Sequence, residues 1–123
     1  MKMYSYITSR HMGDIFLPFP AQNSVLREVS NRFNMQYVLP RAEHFFQDSY
    51  IELFTLLETA LNESVIGMYS FLMMPQNLTK LKDISIKLKK KNLKIYFALE
   101  NTFFIDLKDI KYLYISHACR DMQ

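Results

Sequence analysis

Short runs of β-branched and aromatic residues alternate along this chain with longer stretches whose apolar residues recur every three to four positions. That alternation confines the chain to folds in which helices cover a parallel sheet, because parallel neighbours need crossover connections. Tyr4, Tyr6 and Ile7 predict a buried first strand over Met3 to Ser9. The next dozen residues hold Gly13, Pro18 and Pro20, which implies a long ordered loop, and such length suits a binding loop. From Ala21 to near Asn34, Val25, Leu26, Val29 and Phe33 fall at helical spacing. Gln36 to Leu39 reads as a second strand stopped by Pro40, followed by a polar segment from Arg41 to Ser49. A second helix starts near Tyr50 with a face of Ile51, Phe54, Leu57 and Leu61, widened by Leu53, Leu56 and Ala60. Ser64 to Ser70 is a third strand. Asn77 suits the N-cap of a helix carrying Leu78, Leu81, Ile84 and Leu88, and Leu93 to Leu99 a fourth strand. Ile105 to Ile110 is expected to form a helical turn before a last strand, Tyr112 to Ser116.

The fold class this order predicts is α/β: one three-layer domain over residues 1–123, with a mostly parallel four- to five-stranded sheet and right-handed crossovers. A chain of 123 residues, half of them hydrophobic, leaves little room for a second core. The longest apolar stretch, Val65 to Met74, contains Gly67 and Ser70 and stops at Pro75, short of the roughly 20 residues that span a bilayer. With no signal-peptide pattern at Met1 to Tyr6, cytoplasmic residence without a membrane partner is expected. The single cysteine, Cys119, has no internal disulfide partner, and with His117 it offers two ligands only, so no metal site is expected. Gly13 and Gly67 are the only glycines, which excludes the dinucleotide fingerprint and the P-loop, and no cofactor is expected.

In such sheets ligands collect beyond the carboxyl ends of the strands. That rule selects Ser9 and Arg10, then Ala42, Glu43 and His44, then Ser70 and Phe71, and finally Glu100 and Asn101. Arg10 has the fork geometry that grips a carboxylate or phosphate. Gln22 and Asn23 open the first helix, with Arg27 in its first turns, and the NH groups of that helix end attract anions. The bland alternative is that Arg10 pairs with Glu43 or Glu100 to pin loops. Thr8 or Ser9 acts as a nucleophile only with a base at hand, for which Glu43, His44 and Glu100 are candidates; otherwise the hydroxyl terminates a strand. His11 and His117 carry less weight. Phe45, Phe46 and the run Phe71 to Met74 line a pocket, make an oligomer contact or fill the core. The net charge of +3 is mild and much of it lies between Lys80 and Lys94, as a solvated helix end would give and as a polyanion site also would.

Taken together, Tyr6 to Arg10, Gln22 and Asn23 with Arg27, Glu43, Tyr50, Gly67 to Ser70 followed by Leu72 and Pro75, and Ala98 to Glu100 resemble the sporadic carbohydrate cluster protein family. The likeness spans roughly Tyr4 to Glu100. It implies a small bacterial protein of surface-carbohydrate biosynthesis, of the lipopolysaccharide or capsule kind, without naming a reaction. A second likeness is to the catalytic domain of serine recombinases, through the Thr8 and Ser9 corner, Gln22 with Asn23, and Glu43. It implies a flavodoxin-like or resolvase-like fold. DNA cleavage is not implied, since Phe71-Leu72-Met73-Met74 stands where that family carries arginines after its third strand.

The expected ligand is therefore an anionic sugar acid, sugar phosphate or nucleotide sugar. Arg10, Gln22, Asn23, Arg27, Tyr50 and Ser70 are its candidate contacts. Glu43, Glu100 and Ser9 are the candidate catalytic groups. The alternatives are a homo-oligomeric or enzyme-bound partner acting through the Phe/Met segment, and a nucleic-acid-binding domain acting through the lysines.

Overall fold

In the computed structural model, which describes residues 1–8, 18–43, 50–75 and 78–105, the first strand lies inside the sheet, one place from its edge. β1 (Lys2–Ile7) pairs in parallel with β2 (Gln36–Ala42) on one side and β3 (Val65–Met68) on the other. β3 pairs in parallel with β4 (Lys94–Phe97), and β4 pairs antiparallel with β5 (Thr102–Phe104), giving the order β2-β1-β3-β4-β5. Successive side chains of a strand point to opposite faces. Met3, Val65 and Tyr96 therefore pack with Val29 of α1 (Phe19–Arg32). Tyr6, Ile66, Met68, Ile95 and Phe97 pack on the other side, against Leu53, Leu56, Leu57 and Ala60 of the α2 segment (Ile51–Thr59) and Leu81, Ile84 and Leu88 of α3 (Leu78–Lys91). The three-layer α/β fold read from the alternation is the one observed.

The boundaries differ in ways that have physical causes. β2 continues through Pro40 to Ala42 instead of stopping at Leu39. Its register against β1 slips between the Tyr4–Val38 and Tyr6–Arg41 pairs, so Leu39 and Pro40 together oppose Ser5 in a bulge. A proline is tolerated at a bulge of an edge strand, where its missing donor breaks no ladder bond. α1 starts at Phe19, with Pro20 in its first turn, where an NH would lack an acceptor in any case. The buried stripe at α2 is Leu53, Leu56, Leu57 and Ala60. Ile51 and Leu61, expected on the buried face, are exposed, as is Leu78 at the start of α3. β5 was not foreseen: Asn101, with φ of 52°, turns the chain back so that Thr102 to Phe104 lines β4. The expected N-cap Asn77, the helical turn Ile105 to Ile110 beyond its first residue, and the strand at Tyr112 to Ser116 lie outside the described residues.

Gly67 permits the close seating of α1. A Cβ there would stand 3.0 Å from Met3 Sδ and 3.2 Å from Leu26 Cδ2. Among the described residues, no helix is long and apolar enough to cross a membrane.

Candidate functional site at the carboxyl edge of the sheet

The four parallel strands end on one edge, and three polar clasps close it. The first joins β1 to α1. Gln22 is fully buried; its Nε2 donates to the Thr8 carbonyl at 2.7 Å and its Oε1 accepts from the Thr8 NH at 3.3 Å. The side-chain amide thus imitates one more rung of sheet, prolonging β1 beyond Ile7 and fixing the start of α1 beside it. Thr8 is itself buried.

The second clasp is Glu43, directly after β2 and 4% exposed. Its Oε2 accepts from Tyr6 Oη at 2.9 Å and from the backbone NH of Glu52 at 3.1 Å, with Leu53 NH at 3.4 Å. α2 has no side-chain cap at Tyr50. Glu43 supplies one from another element, placing a carboxylate on NH groups that the helix geometry leaves without acceptors. The third clasp is Glu100, in the turn after β4. Its Oε1 accepts from Phe71 NH at 2.6 Å and its Oε2 from Ser70 Oγ at 3.0 Å, while Ser70 Oγ accepts from Leu72 NH at 3.2 Å. Together they cap the single 3-10 turn at Phe71–Met73. Both acidic residues selected by topology are thus engaged by backbone donors of a neighbouring segment.

The remaining candidates are distributed unevenly. Asn23 lies one turn inside α1, and its Oδ1 is buried without a hydrogen-bond partner. Orphaned buried acceptors are uncommon enough to need a reason. Arg27 lies eight residues beyond Phe19, about 12 Å along the helix axis, with its guanidinium 5.0 Å from the centroid of the Tyr37 ring. It is in the third turn, not the first ones, and the structure does not bring it to the edge. Tyr50 is half-buried just before α2, its ring 5.1 Å from Lys80 Nζ. Ser9, Arg10, His11, His44, Phe45, Phe46, His117 and Cys119 lie outside the described residues. Among the described residues no cluster of His, Cys, Asp or Glu has the makings of a metal site.

Phe71, Met73 and Met74 are buried in this chain's own core. The lysines of α3 are partly structural too. Lys91 Nζ donates to the Glu58 and Ala60 carbonyls at the end of α2, and Lys87 lies 3.6 Å from the Glu58 carboxylate. Sequence reasoning missed the role of Tyr6, whose hydroxyl holds Glu43. Its signal was its position in β1, on the face that α2 covers.

The start of α1 has no side-chain cap and no acidic residue in its first turn. The first helical bond runs from Gln22 NH to the Pro18 carbonyl at 3.0 Å. With Pro20 lacking a donor, Phe19 and Ala21 keep the NH groups that have no intrahelical acceptor.

An α/β sheet of this order with one helix on one face and two on the other gives a fold similar to that of resolvase-like catalytic domains. The comparison that bears this out is with the crystal structure of the N-terminal catalytic domain of TP901-1 integrase, which matches with a TM-score of 0.68 over 99% of this chain and 96% of that one. At 12% identity the similarity is one of fold. No known protein-family model matches the chain, nor does any curated protein sequence.

Proposed function

We propose that this protein binds an anionic sugar, a sugar phosphate or nucleotide sugar, at the carboxyl edge of its sheet, and serves surface-carbohydrate biosynthesis in the cytoplasm. The observation that carries the reading is the orphaned Asn23 Oδ1 next to the uncapped start of α1. An acceptor in want of a donor suits a sugar hydroxyl. NH groups without an intrahelical acceptor at a helix start suit a phosphate or carboxylate, and Arg10, two residues beyond the buried Thr8 in sequence, is a cation of the right chemistry for the same anion. Glu43 and Glu100, held by backbone donors, fix the starts of α2 and of the turn at Phe71–Met73 along the same edge. The sequence resemblance to the carbohydrate cluster family supports the pathway.

A second reading, nucleic-acid binding, is favoured by the fold likeness to an integrase catalytic domain. The buried Phe71, Met73 and Met74 after β3 count against phosphodiester chemistry, which needs cations around the scissile phosphate. Thermal shift with a panel of sugar phosphates and nucleotide sugars tests the first reading. A panel member should raise Tm in the native protein, and both Arg10→Ala and Asn23→Ala should abolish most of the rise. No response from any panel member, or an undiminished response in Arg10→Ala, overturns it. Steeply salt-dependent binding of a DNA duplex in the same buffers would instead support the second.

A further inference from the structure

At the opposite end of the sheet, where β3 and β4 begin, lies a cleft of about 370 Å³. Met1, Met35, Val65 and Phe103 give it apolar side-chain walls, Glu63 and Lys94 bring one side-chain charge of each sign, and Met1 adds its α-amino group. Its frame is backbone: Glu63 NH donates to the Lys91 carbonyl at 3.0 Å, and Lys94 NH to the Ser64 carbonyl at 3.3 Å. Lys94 Nζ stands 6.0 Å from the centroid of the Phe103 ring. Neither Glu63 nor Lys94 forms an ion pair with a described residue.

Glu63 is the unexpected member. Four described non-glycine residues have positive φ, and three of them, Asn34, Asn92 and Asn101, are of the type whose short amide tolerates it. Glu63, with φ of 64°, is not. Glycine or asparagine would make the same turn with less strain, so stability alone does not account for a glutamate there. Strain retained at the rim of a cleft points to use of the side chain.

We propose that this cleft binds a small zwitterion with an apolar body, the class of the α-amino acids with large side chains. The ligand carboxylate meets Lys94, its ammonium meets Glu63, and its side chain lies against Met35, Val65 and Phe103. A simple cation would be repelled by Lys94 and the Met1 ammonium, and a simple anion would leave Glu63 without a partner, whereas a molecule with both charges satisfies both side chains. The volume is within the range of small-molecule sites.

The test is titration of the full chain, followed by amide chemical shifts, with L-phenylalanine, L-tyrosine, L-leucine and L-methionine as probes. The single-charge analogues 3-phenylpropionate and 2-phenylethylamine serve as controls. At least one amino acid should saturate the protein and shift the amides of Val65 and Phe103, with the single-charge analogues at least tenfold weaker. Lys94→Met and Glu63→Gly should each weaken binding at least tenfold. Because glycine adopts the positive φ without strain, Glu63→Gly should melt no lower than the native protein, which separates lost binding from lost folding. Failure of all four amino acids to saturate, equal binding of a single-charge analogue, or native affinity in Glu63→Gly would each overturn the proposal.

Discussion

Replacing Glu43 by alanine distinguishes a carboxylate that holds the fold from one kept for chemistry. In the structure the group is 4% exposed and accepts from Tyr6 Oη at 2.9 Å and Glu52 NH at 3.1 Å; the Leu53 contact at 3.4 Å is too long to count for much. Hydrogen bonds to a charged acceptor contribute about 1.5–3 kcal/mol each. Two of them give a gross loss of about 3–6 kcal/mol, and entry of water into the vacated space brings the expected net cost of Glu43→Ala to about 3 kcal/mol. That is a large part of the roughly 5–15 kcal/mol that holds a domain folded. Both donors converge on Oε2, so Glu43→Gln can keep a neutral acceptor for both and loses only the charge at the start of α2, at a cost of about 1–2 kcal/mol. Urea denaturation reads both. At an m-value of about 1.5 kcal/mol/M, alanine should lower the midpoint by about 2 M and glutamine by about 1 M, with m unchanged. Should Glu43→Ala unfold within about 0.5 kcal/mol of the native protein, or prove more stable, the capping role is wrong. A gain in stability is the signature of a group retained for activity at the expense of the fold.

Two further perturbations probe the seating of α1. Gln22→Ala removes both bonds to Thr8 from a fully buried position, and should cost about 2–3 kcal/mol in the same urea titration. A cost below about 0.5 kcal/mol would mean that the clasp does not hold β1 to α1. Gly67→Ala sets a methyl 3.0 Å from Met3 Sδ and 3.2 Å from Leu26 Cδ2. Both neighbours are side-chain atoms that give way, so the expected loss is about 1 kcal/mol, roughly 3–5 °C in Tm, and several-fold more for Gly67→Val. A rise in Tm on adding the methyl would show that α1 is not tightly seated.

Much of the layer order was legible because it rests on local periodicity. Val29 and Leu26 on one helix, and Leu53, Leu56 and Leu57 on another, mark their buried faces through spacing alone. What escaped depends on partners distant in sequence. Pro40 reads as a strand breaker until β2 is known to be an edge with a bulge opposite Ser5. β5 is three residues long, and its signal, the Glu100-Asn101 turn before Thr102-Phe103-Phe104, is as short as a loop's. At the candidate site, topology selected Glu43 and Glu100, but their engagement was not readable. Tyr6 is 37 residues from Glu43, and Ser70 is 30 from Glu100.

α2 has nine residues, fewer than the roughly 12–15 at which an isolated helix becomes even marginal in water. Both of its ends are tied by side chains from elsewhere: Glu43 receives its first NH groups, and Lys91, the last residue of α3, donates to carbonyls at its end. Such a helix has no independent existence as a folding unit. It assembles only once β2 and α3 have found their places, and its amides should exchange with solvent mainly when the whole domain opens.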